Sequence, residues 1–498
     1  MALDPLATPG SSDRGRRIGI IDTTLRDAQQ CLWTTRMTAG MMAPIAPTMD
    51  RAGYDQIDFM APVQFDVCVR YLREDPWEKA RFFRQQFQRT PLRGYCRSKS
   101  LLGFAMVPDD IVELWIERLC ANGFSVVGTL DALFDVDNMV VSLRRAKALG
   151  MRAIGALVFC ESEVHTDELY AQTAKALVER ADIDGIMIKD SGALLTQDRI
   201  RTLVPALKAV LGHRSLELHS HCNTGLAPVV YLEAARLGID QLHTAVAPLA
   251  GGPAQPSAQQ TRHNLEQIGF ATDLDMQAIE EISEYIRNVA AQEGFPLGAA
   301  MDYDVFHYKH QMPGGMLANW RFQLRQAGLE DRFDEILEEI VRIRRELAWP
   351  IMVTPFSQII AVQAMLNVVG GERYASVPDE VKMYALGHFG KLLAPVDPDA
   401  LDRIVANGAS SIPLAPVPLE PALPQLRRKY PNASDDEHLL RFMFPGNDVE
   451  EMIAAGPLRT EYSLNQPIER LLKGLGSQKR LTHLSVSKGR DRISYTRG

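Results

Sequence analysis

Two histidines separated by one residue, His219-Ser220-His221, end an apolar run whose pattern predicts a β-strand. Strand side chains alternate with a period of two, so both imidazoles face the same way. Asp27 follows an earlier run of the same kind, IGIID, and Lys189 closes another, DGIMIKD. Two imidazoles and a carboxylate make a donor set for zinc, manganese or cobalt. Lysine is not a usual ligand, but a lysine carbamylated by CO2 presents a carboxylate, and in that form Lys189 would complete the set. Each residue also has a structural reading. Lys189 fits an ion pair with Asp190, Asp27 a helix cap, and the histidines a buried or surface pair. What points to a metal is that all four stand at the ends of strands. Cys222 adjoins the histidines but faces the other side of a regular strand.

The elements that would hold these residues follow a regular order. Eight β-rich runs (IGIID, QIDFMA, LRGYC, SVVGTLD, AIGALVFC, DGIMIKD, LELHSH and DQLHTAV) are each separated by a helix-patterned segment, the alternation expected of parallel βα units. DDIVELWIERLCANG and TQDRIRTLVPALKAVLG, for example, repeat apolar residues every three or four positions and stop at glycine. Eight units predict an α/β fold, a (β/α)8 TIM barrel over residues 17–305, whose strand ends open into one shared mouth. Residues 1–16 read as a flexible N-terminus. Residues 306–409 read as a mainly α-helical second domain completing that mouth, and residues 410–424 as a Pro-rich linker. Residues 425–498 read as a segment of short helices, EHLLRFMF and IERLLKGL, ending in a hairpin about KGRD.

Bulk properties narrow the class. The 498 residues carry 54 Lys and Arg against 62 Asp and Glu, so 54 − 62 gives −8, and no electrostatic case for a nucleic-acid partner arises. The six cysteines form no C-x-x-C pair and read as reduced thiols. No apolar stretch approaches a membrane span and no leader-like segment opens the chain, so a cytoplasmic location is expected.

The segments DTTLRDAQQCL, IKDSGALL, LHSHCNTG, MPGGMLANW and VTPFSQI resemble, in this order, the carboxyltransferase component of biotin-dependent enzymes. That component is found as the carboxyltransferase domain of pyruvate carboxylase, the α subunit of oxaloacetate decarboxylase and the matching transcarboxylase subunit. The resemblance runs from about residue 17 to 455. It implies that Asp27, His219 and His221 are metal ligands and that Lys189 is the carbamylated one. It also implies that Arg26 and Gln30 line the reaction site, with Gln29 beside them, and that Arg93 holds a carboxylate or enolate oxygen of the substrate. Thr354 matches a threonine that passes a proton between substrate and biotin. Such chemistry is coherent: carboxybiotin in a dry pocket loses CO2, the ureido group takes a proton from the acceptor through a hydroxyl, and fixed positive charge steadies the enolate that attacks CO2.

The resemblance is incomplete around the acceptor. Gln29 replaces a usual histidine, Met60-Ala61-Pro62-Val63-Gln64 replaces W-G-G-A-T, Val127 and Gly128 replace an aromatic residue and an arginine, and Thr196 replaces a lysine. Loss of these groups implies an acceptor other than pyruvate or oxaloacetate, a more apolar carbonyl compound. The A-M-K-M biotinylation motif is absent from the sequence, so biotin is expected on a separate carrier protein, with a biotin carboxylase subunit as a further partner and a homodimer as the assembly. The competing readings are a metal-dependent aldolase or acyl-CoA lyase of the same barrel superfamily, from which Lys189 and the PGG and VTP segments distinguish this chain, and an inactive scaffold, against which the four-ligand set argues.

Overall fold

In a computed structural model, residues 15–464, 483–488 and 491–496 are described, apart from 104, 303, 314–316, 318–319, 322–323 and 327. Eight strands form a closed barrel in sequence order: β1 (Gly19–Asp22), β2 (Gln56–Met60), β3 (Leu92–Cys96), β4 (Val126–Leu130), β5 (Arg152–Val158), β6 (Gly185–Asp190), β7 (Ser215–Ser220) and β8 (Gln241–Thr244). All pairs are parallel, and β1 closes the ring on β8 with Gly19 against Gln241 and Asp22 against Thr244. Nearly every strand residue is buried, as expected when one face packs inside the barrel and the other beneath the helices.

The helices form because each carries an apolar stripe and a start signal. Helix Asp109–Ala121 buries Ile111, Trp115, Leu119 and their neighbours. Thr166, Thr196, Ser257 and Asp275 accept backbone N–H bonds at the starts of theirs. Thr196, standing where the family has a lysine, is thus a helix cap.

A second core lies in the helices that follow. Phe333–Glu346 and Phe356–Gly370 pack through Ile336, Ile340, Ile343, Ile360 and Ala364, joined by Ala132 and Leu133 from the loop after β4. This helical layer is therefore fastened to the C-terminal end of the barrel. Arg344 donates to the Lys309 carbonyl at 2.6 Å and to Gln311 Oε1 at 3.0 Å, and Gln311 in turn donates to the Glu161 carbonyl at 2.7 Å. His307 adds a bond to the Gly192 carbonyl at 2.5 Å.

The Pro-rich stretch 411–422 is extended and largely exposed. Beyond it, helices Asp435–Met443 and Asp448–Ala454 return to the barrel, where Leu439, Leu440, Phe444, Val449 and Met452 join its core. Asp436 accepts from Arg81, Arg118 and Asn122 at 2.7–3.0 Å. EHLLRFMF is a helix, as its pattern predicts; IERLLKGL and part of MPGGMLANW lie outside the described residues. The terminal hairpin pairs β9 (His483–Lys488) with β10 (Asp491–Thr496). No helix among the described residues is long and apolar enough to cross a membrane.

Candidate metal centre and reaction site

Inward-facing positions of β7 carry Glu217, His219 and, just past the strand, His221, in three successive layers toward the mouth. Lys189 on β6 is the register partner of His219, which sets its Nζ 3.4 Å from His219 Nε2. Asp27 arrives from across the closure of the ring, in a π-turn (Thr24–Ala28) that leaves β1. Its Oδ2 lies 3.0 Å from Nε2 of both histidines, and those two nitrogens are 3.2 Å apart. The four residues singled out in the sequence therefore converge.

Neighbouring groups orient the rings. His221 Nδ1 donates to the Pro253 carbonyl at 2.6 Å, which turns Nε2 toward Asp27. His219 Nδ1 lies 3.3 Å from His243 Nδ1, and His243 Nε2 lies 3.2 Å from Glu217 and 3.4 Å from Arg93 Nη1, so His219 likewise presents Nε2 to Asp27. Arg26 fixes the carboxylate, donating from Nη1 to Asp27 Oδ1 at 2.5 Å while its Nε sits 2.9 Å from both oxygens of Asp58.

The donor set fits a small divalent cation. Asp27 Oδ2 and the two histidine Nε2 atoms sit within 3.2 Å of one another, with Gln255 Nε2 2.7 Å from Asp27 Oδ2 and 3.2–3.3 Å from the two imidazoles and Lys189 Nζ 3.4 Å from His219 Nε2. Electrostatics agree. Burial pushes the Asp27 carboxyl upward, but Arg26 and Lys189 outweigh it and hold the group well below the usual range. Burial and Lys189 keep His219 neutral. For His221 the burial effect is overcome by Asp27 and by Cys31, and its pKa rises to about 10, so this point of the cluster draws positive charge. Burial lowers Lys189 against the pull of Asp27.

The other expected residues are placed as follows. Gln30 is half-buried beside the site and accepts from Gln64 at 3.3 Å. Gln29 is buried, its Nε2 donating to the Leu25 carbonyl at 3.2 Å and its Oε1 accepting from the Met37 amide at 3.4 Å. Arg93 is the second residue of its strand, and it lies a layer below the histidines, with Nη1 2.7 Å from Glu217. Its Nε and Nη2 have no hydrogen-bond partner among the described residues. Tyr95, one layer nearer the mouth, lies between two guanidiniums, 4.8 Å from Arg26 and 5.7 Å from Arg93. Gly128 makes that placement possible, since a Cβ there would come within 2.6 Å of the Tyr95 ring. Tyr95 thus fills space that the family's arginine at position 128 would claim. Thr354, in the helical layer, is half-buried and accepts from Gln358 Nε2 at 3.0 Å.

Sequence reasoning missed Gln255, Asp58, Glu217, His243 and Cys31. Asp58, Glu217 and His243 had a usable signal: charged or titratable residues at strand positions that alternation places inward. Gln255 had none, standing in an irregular loop after β8.

Comparisons with known proteins bear on the family and the fold. Residues 308–485 match the conserved carboxylase domain family. A pyruvate carboxylase subunit of Methanocaldococcus jannaschii is 39% identical over 407 residues, 81% of this chain and 71% of the relative. The methylmalonyl-CoA carboxyltransferase 5S subunit of Propionibacterium freudenreichii is 31% identical over 440 residues, 86% of each. The carboxyl transferase domain of Rhizobium etli pyruvate carboxylase, solved with 3-bromopyruvate, superposes with a TM-score of 0.81 at 24% identity, covering 88% of this chain and 77% of that one. Similarity through both the barrel and the helical layer answers the lyase reading, which lacks the latter. The chain belongs to the carboxyltransferases of the biotin-dependent carboxylase family.

Proposed function

We propose that this carboxyltransferase works at a divalent metal held by Asp27, His219, His221 and a carbamylated Lys189, moving CO2 between carboxybiotin on a separate carrier chain and an enolisable carbonyl acceptor. The observation that carries the reading is the convergence of Asp27 Oδ2 with both histidine Nε2 atoms at 3.0 Å, beside Lys189. Zinc, manganese or cobalt would supply Lewis acidity there. Burial favours the neutral amine of Lys189, the form that reacts with CO2.

The protein's own groups supply the rest. Arg93 offers two nitrogens without hydrogen-bond partners among the described residues, Nε and Nη2, to a developing enolate or carboxylate oxygen, with Glu217 as its counter-ion. Arg26 holds Asp27 in place, and Gln30 lines the site. Thr354 accepts from Gln358, which leaves its hydroxyl hydrogen to pass between acceptor and biotin. The Tyr95 ring narrows the approach to Arg93 and sets an apolar face beside it, which supports an acceptor more apolar than pyruvate. A biotin carrier, a biotin carboxylase subunit and a second copy of the chain complete the proposed assembly, in the cytoplasm.

Metal content of the purified protein and of Lys189→Ala, with biotin-stimulated decarboxylation over a panel of 3-oxo acids and malonyl compounds, tests this reading. Stoichiometric metal lost in the variant, with CO2 release that requires free biotin, is expected. Metal retained without Lys189, with carbon–carbon cleavage indifferent to biotin, would sink it.

A further inference from the structure

Cys31 lies four residues after Asp27 on a continuous helical path, because the π-turn Thr24–Ala28 runs straight into helix Gln29–Trp33. Residues four apart share a helix face, and the Cys31 sulfur, an Asp27 carboxylate oxygen and a His221 ring nitrogen all lie within 4.8 Å of one another. The imidazole cannot turn away, since its Nδ1 is committed to the Pro253 carbonyl. Cys222, adjacent in sequence to the histidine, is buried outside this group, its amide bonded to the Ala254 carbonyl. Of the six cysteines, Cys31 is the one that meets a carboxylate and an imidazole in a potential metal cluster among the described residues.

We propose that Cys31 is itself a ligand of the metal, as a thiolate beside Asp27 and His221, and that it biases the site toward zinc or cobalt over manganese. The proposal rests on the metal reading above. Thiolate is a soft donor that favours zinc and cobalt, whereas carboxylate and water suit manganese equally well. Binding breaks the S–H bond and forms a sulfur–metal bond, and the proton leaves to solvent. The half-buried position of Cys31 lets metal and proton exchange without opening the barrel.

Titration of the full-length, metal-stripped protein with cobalt(II) chloride tests this directly. The wild type is expected to bind one cobalt with a thiolate-to-cobalt charge-transfer band in the near ultraviolet. Cys31→Ser should keep the visible ligand-field bands, lose the charge-transfer band, and bind zinc at least about tenfold more weakly while manganese binding changes little. One bound cobalt without a near-ultraviolet band in the wild type, or a band that survives in Cys31→Ser, would overturn the assignment and leave the metal site standing. Failure of wild-type protein to bind cobalt any better than His219→Ala would remove the metal reading, and the cysteine ligand with it.

Discussion

Asp22 ends β1 just before the turn that carries Asp27. Its carboxylate accepts from the Thr24 hydroxyl at 2.6 Å and the Thr24 amide at 3.0 Å, but it is fully buried. Burial outweighs those bonds, Asp58 adds repulsion, and the pKa rises from 3.8 to about 7. The folded protein therefore binds a proton that the unfolded chain has released between these values, and native stability falls as pH rises from about 4 to 7. Asp22→Asn removes that penalty. Urea midpoints of the two proteins should coincide near pH 4 and separate in favour of the variant by pH 7, by at most about 4 kcal/mol at 1.36 kcal/mol per pKa unit. Parallel profiles would show that Asp22 ionises normally. Arg93 illustrates the opposite arrangement, a buried charge kept ionised by a partner, Glu217 at 2.7 Å.

Strands and turns decide which of these residues meet. All eight strands were legible from apolar runs and turn residues, to within one or two positions, and His219 and His221 followed from alternation alone. Lys189 beside His219 depends on interstrand register, which no local pattern encodes. Cys31 was missed because its partner Asp27 sits in a π-turn continuous with a helix, so helical rather than strand spacing governs who faces whom. Arg93 was legible as a barrel residue, but its depth was not: it is the second residue of β3 and Tyr95 the fourth, so the ring stands above it. The β3–β4 pair makes a prediction of its own. Because a Cβ at Gly128 would meet the Tyr95 ring at 2.6 Å, Gly128→Ala should cost about 1–3 kcal/mol by overpacking. Tyr95→Leu should absorb much of that cost, so a double-mutant cycle in urea should show coupling of about 1 kcal/mol or more. Simple additivity would mean that the ring can move aside without strain.

Taken across the whole barrel, buried charges of the site are paired: Arg26 with Asp27 and Asp58, and Arg93 with Glu217. Carbamylation would give Lys189 a negative charge that a divalent metal offsets, so each event favours the other, while either alone leaves buried charge uncompensated, a costly state. Metal affinity should therefore rise with bicarbonate, by the 5- to 150-fold or about 1–3 kcal/mol typical of coupled ligands, and Lys189→Ala should abolish the dependence. Equal dissociation constants in CO2-free and bicarbonate buffers would disprove the coupling. The ring closure between β1 and β8 also sets a timetable. Asp27 and Gln255 meet across 228 residues of sequence, so a chain emerging from the ribosome carries Asp27 long before Gln255. Nearly the whole barrel must be synthesised before that carboxylate meets the histidines, so a metal held there would be loaded by the finished fold rather than by the growing chain.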